Sequence, residues 1–286
     1  MTPLEQISIS SALTFDALAA GTPGAPLVLL LHGFAESMQC WRAQVAALAG
    51  AGYRAIAPSQ RGYSAGARPN VSEPSNYHID RLMDDAMAIV EASGYGERRF
   101  HLAGHDWGGS IAWSLADRFP ERIASLTVLS RPHPNAFNRA LQMADGEQAQ
   151  RSRHHRWFLE PDAADRVLAD NAKWLRERLA ANGVPPAAIA AHLAVLGNKD
   201  AMEAALAWYR ARGAIRGPLG PIRVPTLYIW GDADDTVGRT AAEGTVDFVS
   251  APYRFEVLPG VGHFAADQAP DRVNELLLQH LTAHPV

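Results

Sequence analysis

The chain has 286 residues, of which 48% are hydrophobic and 20% charged, as is ordinary for a soluble enzyme with one large domain and an insertion. Its 26 basic and 30 acidic residues give a net charge of −4, without the positive excess that favours a nucleic-acid partner. No apolar run approaches the roughly 20 residues of a membrane span, and the first ten residues do not resemble a secretory signal. The single cysteine, Cys40, excludes an internal disulfide. We therefore expect a cytoplasmic protein with a buried thiol and no membrane partner.

Strand-like and helix-like patterns alternate along the first 130 residues and again near the C-terminus. The unbroken apolar run 26–31 is typical of a central parallel strand that is buried on both faces. Such alternation predicts an α/β fold with a mostly parallel central sheet and helices on both faces. The predicted strands cover residues 6–9, 13–17, 26–31, 53–57, 99–103, 125–130, 224–230 and 253–258.

The alternation stops after Ser130, and only helical patterns follow from His133 to Gly217. A helical stretch of this length between two strands of one sheet predicts an inserted cap. The predicted domains are thus a core formed by 1–132 and 218–286 and a helical cap formed by 133–217. Caps of this kind lie over an active site and shape its pocket.

A strand-to-helix junction with glycines around an aspartate is the most informative motif. Gly104-His105-Asp106-Trp107-Gly108 follows the predicted strand 99–103 and begins a helical pattern that Pro120 ends. A strand that turns abruptly into a helix strains the corner residue, and flanking glycines remove the Cβ atoms that would clash. The pattern is that of a nucleophile elbow, with Asp106 where serine normally stands.

An aspartate at this position indicates attack on saturated carbon. A carboxylate is already ionised, so it can displace a leaving group and form an alkyl ester with the enzyme. A histidine-activated water can then hydrolyse that ester at the carboxyl carbon of Asp106. The substrate must therefore carry a leaving group on sp³ carbon, such as an epoxide oxygen or a halide.

The chain resembles the Asp-nucleophile branch of the α/β-hydrolase fold, which contains epoxide hydrolases and haloalkane dehalogenases. The matching motifs extend from about Leu27 to Leu281. They are His32-Gly33-Phe34, Pro58-Ser59-Gln60-Arg61-Gly62-Tyr63, Gly104-His105-Asp106-Trp107-Gly108, Ala207-Trp208-Tyr209-Arg210 and Gly262-His263-Phe264. The resemblance implies an α/β-hydrolase core with an inserted helical cap and a hydrolase that needs no cofactor.

The catalytic histidine and its acid are expected after the last two strands. His263 lies in a glycine-rich loop, and the order Asp106, acid, His263 is the order of this fold. The resemblance selects Asp234 as the acid that orients the imidazole, with Asp235 and Asp232 as alternatives. It also implies that the amides of Phe34 and Trp107 form the oxyanion hole. Family members often have proline after the residue at Phe34, where this chain has Ala35.

Electrophilic assistance distinguishes the two chemistries. Epoxide hydrolases stabilise the departing alkoxide with two cap tyrosines, and Tyr209 matches the second of them. The position of the first is occupied by Trp157, which cannot protonate an alkoxide. Either Tyr209 acts alone, or His154 or His155 supplies a second donor, or the leaving group is a halide held by the indoles of Trp107 and Trp157.

These residues favour an epoxide hydrolase acting on a small hydrophobic molecule. A haloalkane dehalogenase and a non-catalytic ligand-binding member of the fold remain as alternatives. Adjacent His154 and His155 lack the spacing of metal ligands, so no metal is expected. The basic run 151–156 is expected to face water.

Overall fold

We analysed a computed structural model, which describes residues 4–143, 146–211 and 219–286. An eight-stranded sheet runs through the chain in the order β1-β2-β4-β3-β5-β6-β7-β8. The pairings β1–β2 and β2–β4 are antiparallel, and the remaining pairs are parallel. The strands are β1 (Leu4–Ser8), β2 (Thr14–Ala20), β3 (Leu27–Leu31), β4 (Arg54–Pro58), β5 (Phe100–His105), β6 (Ile123–Leu129), β7 (Thr226–Gly231) and β8 (Tyr253–Leu258).

Helices cover both faces of the sheet. Outside the stretch between β6 and β7, the helices are α1 (Arg42–Gly50), α2 (Ile79–Val90), α3 (Trp107–Arg118), α10 (Arg239–Glu243), α11 (Ala265–Gln268) and α12 (Pro270–Ala283). In β3, Leu27, Leu29 and Leu31 pack into one apolar layer, and Val28 and Leu30 pack into the layer on the opposite face. This alternation explains why the predicted strand is apolar throughout: both of its faces are covered. The predicted α/β fold is confirmed, and Cys40 is a buried free thiol.

All elements assigned between β6 and β7 are helical, as the sequence predicts. They are α4 (Pro134–Leu141), α5 (Glu147–Arg151), α6 (His154–Trp157), α7 (Ala163–Ala181), α8 (Pro186–Leu196) and α9 (Lys199–Arg210), and α7 is interrupted by non-helical backbone at 169–172. The described part of this stretch contains no strand. The boundary at 217/218 lies outside the described residues, so the division into cap and core stays a prediction. Within the described ranges, no helix is both long and apolar enough to cross a membrane.

The elbow between β5 and α3 depends on close backbone contacts. Asp106 has φ 50° and ψ −114°, a conformation that residues with a Cβ rarely adopt. A Cβ atom on Gly104 would lie 2.3 Å from the carbonyl oxygen of Gly108. A Cβ atom on Gly108 would lie 2.1 Å from the carbonyl oxygen of Leu31. The glycines on either side of Asp106 are therefore a steric requirement for the turn.

Replacement of Gly108 by alanine tests this requirement. We expect Gly108→Ala to lower the free energy of unfolding by about 3 kcal/mol or more, because a methyl group would overlap backbone that cannot rotate away. Gly50→Ala is the control, since Gly50 lies in α1 with open space around its Cα; it should be neutral or stabilise by up to about 1 kcal/mol. Urea denaturation measures both. Equal stability of the two variants would contradict the steric account.

Candidate active site

Three side chains predicted from the sequence meet at the carboxyl ends of the strands. Asp106 lies after β5, Asp234 after β7 and His263 after β8, and all three are at most 8% exposed. The Nδ1 atom of His263 lies 2.9 Å from Oδ2 and 3.1 Å from Oδ1 of Asp234. On the other side of the ring, Nε2 of His263 lies 3.6 Å from Oδ2 of Asp106. The imidazole is thus held between two carboxylates, as the resemblance implied.

The structure distinguishes the three aspartates that follow β7. Asp234 is buried and accepts hydrogen bonds from the backbone N–H groups of Thr236 at 2.7 Å and Val237 at 2.9 Å, which fix its carboxylate beside the imidazole. Asp235 instead forms an ion pair with Arg178 at 3.3 Å. Asp232 accepts a hydrogen bond from the backbone N–H of Gly260 in an exposed loop. Of the three, only Asp234 is hydrogen-bonded to His263 in the described structure.

The two carboxylates change the proton affinity of His263. Burial alone lowers the pKa of His263, but the negative charges of Asp234 and Asp106 and their hydrogen bonds outweigh burial and raise the pKa to about 10. Burial alone would raise the pKa of Asp106, but the hydrogen bond and charge of His263 hold it well below its usual range. At neutral pH the site therefore contains an ionised Asp106 beside an imidazolium.

The predicted oxyanion hole lies against Asp106. The backbone N–H of Phe34 donates a hydrogen bond to Oδ1 of Asp106 at 3.1 Å, and the Phe34–Ala35 peptide bond is cis. Gly33 allows this approach, because a Cβ atom there would lie 2.6 Å from the same oxygen. Trp107, the second predicted donor, begins α3 directly after Asp106. Oδ2 of Asp106 is the oxygen that faces His263.

Aromatic side chains from α6, from the residue that follows it and from α9 pack over this centre. The ring of Tyr209 lies 5.7 Å from that of Phe34 and 5.2 Å from that of Trp107, so the structure brings the predicted cap tyrosine to both predicted oxyanion-hole residues. Phe158 contacts Phe34 at 5.2 Å and Tyr209 at 4.9 Å. His155 lies 5.4 Å from Tyr209. The inward position of Phe158 could not be predicted from the sequence, because Phe158 follows a helix of only four residues, which is too short to show a periodic apolar face.

The contacts of Trp157 and His154 do not favour the roles predicted for them. The indole of Trp157 packs at 4.5 Å against Phe158 and at 5.2 Å against Trp174, and the structure gives it no ring contact with Trp107. Burial and the nearby charge of Arg178 lower the pKa of His154 to about 4, so this ring is neutral at pH 7. Its Nδ1 lies 3.0 Å from the carbonyl oxygen of Arg151 and must carry the only ring proton. His154 in this form has no second proton to give to a leaving group.

A buried polar network below the site holds the backbone of His263. The hydroxyl of Ser130 donates to the carbonyl oxygen of His263 at 2.7 Å, and Nε2 of His105 donates to the same oxygen at 2.9 Å. Nδ1 of His105 lies 2.9 Å from Glu36. Burial opposes ionisation of Glu36, but the charge and hydrogen bond of His105 lower its pKa to about 2. No role for these residues could be predicted from the sequence, because no local pattern marks a polar side chain that distant elements bury.

One buried group has the side chains of a metal site. Ligand atoms of Glu36, His192 and Asp267 lie within 4.8 Å of one another. However, His192 bonds Asp267 at 2.8 Å, and Arg42 bonds the other oxygen of Asp267 at 2.6 Å. The backbone N–H of Ser37 donates to the remaining nitrogen of His192. These contacts hold His192 and Asp267 within the protein, and Oε2 of Glu36 faces Nδ1 of His105 at 2.9 Å. The expectation of no metal stays a prediction.

Comparison with known proteins places the chain in a family. Residues 26–270 match the alpha/beta hydrolase fold, and the chain therefore belongs to this family. It is 30% identical to epoxide hydrolase A of Mycobacterium tuberculosis over 98% of both chains. It is 31% identical to epoxide hydrolase 4 of Homo sapiens over 93% of this chain and 75% of the human protein. A solved structure described among novel epoxide hydrolases from hot-environment metagenomes superimposes with a TM-score of 0.84 at 27% identity, over 99% of this chain and 100% of that one.

Removal of one carboxylate tests the electrostatic description of the site. In Asp106→Asn, we expect the pKa of His263 to fall from about 10 towards the ordinary value of about 6.5, while Asp234 keeps it above that value. The measurement is the NMR titration of the His263 imidazole. Asp232→Asn is the control, because Asp232 bonds Gly260 and not the imidazole. An unchanged His263 titration in Asp106→Asn would contradict the account.

Proposed function

We propose that the protein is an epoxide hydrolase of the Asp-nucleophile branch, which converts an epoxide to a vicinal diol without a cofactor. The observation that carries this proposal is that the carboxylate of Asp106 at the elbow lies 3.6 Å from the imidazole of His263, while the ring of Tyr209 packs against the neighbouring Phe34 and Trp107. Relatives named epoxide hydrolases over nearly the full chain support the same chemistry.

In the first step, Asp106 opens the epoxide. Oδ1 is bound by the amide of Phe34, so Oδ2 is the oxygen that attacks the ring carbon. The ring C–O bond breaks, and the departing oxygen takes a proton from Tyr209. His155 is the histidine next to Tyr209, and it stays the candidate for a second donor. The product of this step is an alkyl ester on Asp106 and a phenolate on Tyr209.

Formation of the ester changes the charge beside His263. The ester no longer carries the negative charge of Asp106, which is one of the causes of the raised pKa of His263. The imidazolium can then release its proton, which restores the phenol of Tyr209, and become a base. The first step therefore prepares the base that the second step requires.

In the second step, neutral His263 takes a proton from water, and the hydroxide attacks the ester carbon of Asp106. Oδ1 becomes the oxyanion, held by the predicted donors Phe34 and Trp107. The diol leaves with the former Oδ2 and the remaining proton of the added hydroxyl group. The overall transfer regenerates the Asp106 carboxylate and the His263 imidazolium, and Asp234 holds the ring throughout.

Trapping of the ester tests the proposed function. His263→Gln should let Asp106 react but block hydrolysis, so the protein should gain the full mass of an epoxide at Asp106 in intact and peptide mass spectra. A panel of haloalkanes provides the second arm, where a gain of substrate minus hydrogen halide would assign a dehalogenase. A folded variant that gains no mass in either arm would instead support a non-catalytic ligand-binding member.

The role of Tyr209 is tested separately. Tyr209→Phe keeps the ring contacts with Phe34 and Trp107 but removes the acidic proton, and we expect kcat with a terminal epoxide to fall by about 100-fold or more. Single-turnover kinetics should place the loss in ester formation. Tyr253→Phe, on strand β8, is the matched control and should keep full activity. A Tyr209→Phe enzyme that forms the ester at the normal rate would exclude this proton donor.

A further inference from the structure

Arg131 is a positively charged side chain close to Asp106 that the proposed reaction does not use. It follows β6, and its Cβ approaches Gly109 so closely that a Cβ atom on Gly109 would lie 2.7 Å away. Gly109 is three residues after Asp106 in the chain, and the charge of Asp106 acts on the guanidinium. Arg131 therefore lies beside the first turn of α3, next to the predicted nucleophile.

The side chain of Arg131 is held in place by packing and by its backbone. Its guanidinium carbon lies 4.2 Å from the ring centre of Phe137 on α4. The indole N–H of Trp113 donates to the carbonyl oxygen of Arg131 at 3.0 Å. A guanidinium stacked on an aromatic face keeps its N–H groups directed outward in the plane of the group, where they can bind an oxyanion.

Among the described residues, no carboxylate forms an ion pair or a hydrogen bond with this guanidinium. To the residues in the described ranges it makes no hydrogen bond and no ion pair, and its Nε is buried without an acceptor. A buried charged donor without a partner is costly. The energetic cost is removed if a ligand supplies the acceptor.

Arg131 also borders a cavity of about 380 Å³. The indoles of Trp107 and Trp208 give this cavity an apolar wall, and Ser110 of α3 adds a hydroxyl. Trp107 contacts Tyr209 as well, so it is shared between the cavity and the catalytic centre. A volume of this size accommodates a small organic molecule.

The described carboxylates that line the cavity, Asp80 and Asp117, each have a partner other than Arg131. Asp117 lies seven residues after Ser110, which corresponds to about 10 Å along the helix. It accepts a hydrogen bond from the N–H of Gly220, and Asp80 pairs with Arg118 at 3.6 Å. Neither carboxylate forms an ion pair with Arg131, which leaves the charge of Arg131 to an anion bound in the cavity.

We propose that Arg131 binds the carboxylate of the substrate, and that the substrate class is epoxides that carry a carboxylate group. The apolar part of such a molecule would contact Trp107 and Trp208, while the guanidinium binds the acid group. The claim that the bound molecule is an epoxide substrate rests on the proposed function. The claim that Arg131 binds an anion does not. The expected substrate is therefore a small molecule that is both apolar and negatively charged, rather than a purely hydrophobic one.

The test compares substrates that differ only in charge. We would measure kcat/KM for 3-phenylglycidate and 6,7-epoxyheptanoate and for the primary amide of each. In Arg131→Met, we expect kcat/KM for the carboxylates to fall by about 30-fold or more, because a buried charge pair is lost, and that for the amides to change by less than about threefold. Arg131→Lys should retain part of the carboxylate preference. Arg272→Met, on the exposed face of α12, removes the same charge elsewhere and should behave as wild type.

Binding of phenylacetate, which cannot react, separates this inference from the proposed function. Calorimetry should show binding to the wild type and at least about tenfold weaker binding to Arg131→Met. Loss of phenylacetate affinity in Arg131→Met without turnover of any epoxide would support the anion site and contradict the epoxide hydrolase. If the enzyme turns over the amides and Arg131→Met lowers kcat/KM equally for acids and amides, the anion site is overturned. The proposed epoxide hydrolase activity would then still stand. Retained amide turnover also shows that the variant is folded.

Discussion

The turn at Asp106 can form only where three glycines leave room for it. A Cβ atom added at Gly104 or Gly108 would overlap a backbone carbonyl oxygen. A Cβ atom added at Gly33 would overlap the carboxylate of Asp106 itself. These contacts join the ends of β3 and β5 to the start of α3. The amide of Phe34, a predicted oxyanion-hole donor, reaches Asp106 because Gly33 precedes it. The position of the predicted nucleophile is therefore determined by backbone packing, and the remaining groups are arranged around it.

The second constraint is the charge balance around His263. Two carboxylates in a buried site would be costly without a cation between them, and the imidazolium supplies it. The same arrangement links the two steps of the proposed reaction, because alkylation of Asp106 removes one of the charges that raise the pKa of His263. A group that is a stable cation in the resting enzyme can thus become a base only after the ester has formed. Asp234, fixed by two backbone N–H groups, orients the ring in both states.

The sequence predicts the sheet, the elbow and the buried aspartate–histidine pair because each follows from local chemistry. Glycine spacing marks the turn at Asp106, and parallel strands bring their carboxyl ends together, so His263 could be expected near it. The choice of Asp234 depended on resemblance, and the structure explains it through the separate partners of Asp232 and Asp235. The inward position of Phe158 and the cavity beside Arg131 could not be predicted, because they depend on how short helices pack against the core.

The central claim is that Asp106 forms a covalent ester, and isotope transfer in a single turnover tests it most directly. With enzyme in excess over a terminal epoxide in H₂¹⁸O, the diol should contain no ¹⁸O, because its new oxygen comes from Asp106. The peptide that contains Asp106 should gain one ¹⁸O, because water attacks the ester at the carboxyl carbon. Direct attack of water on the epoxide would give the opposite result, with ¹⁸O in the diol and none in Asp106, and would contradict the mechanism.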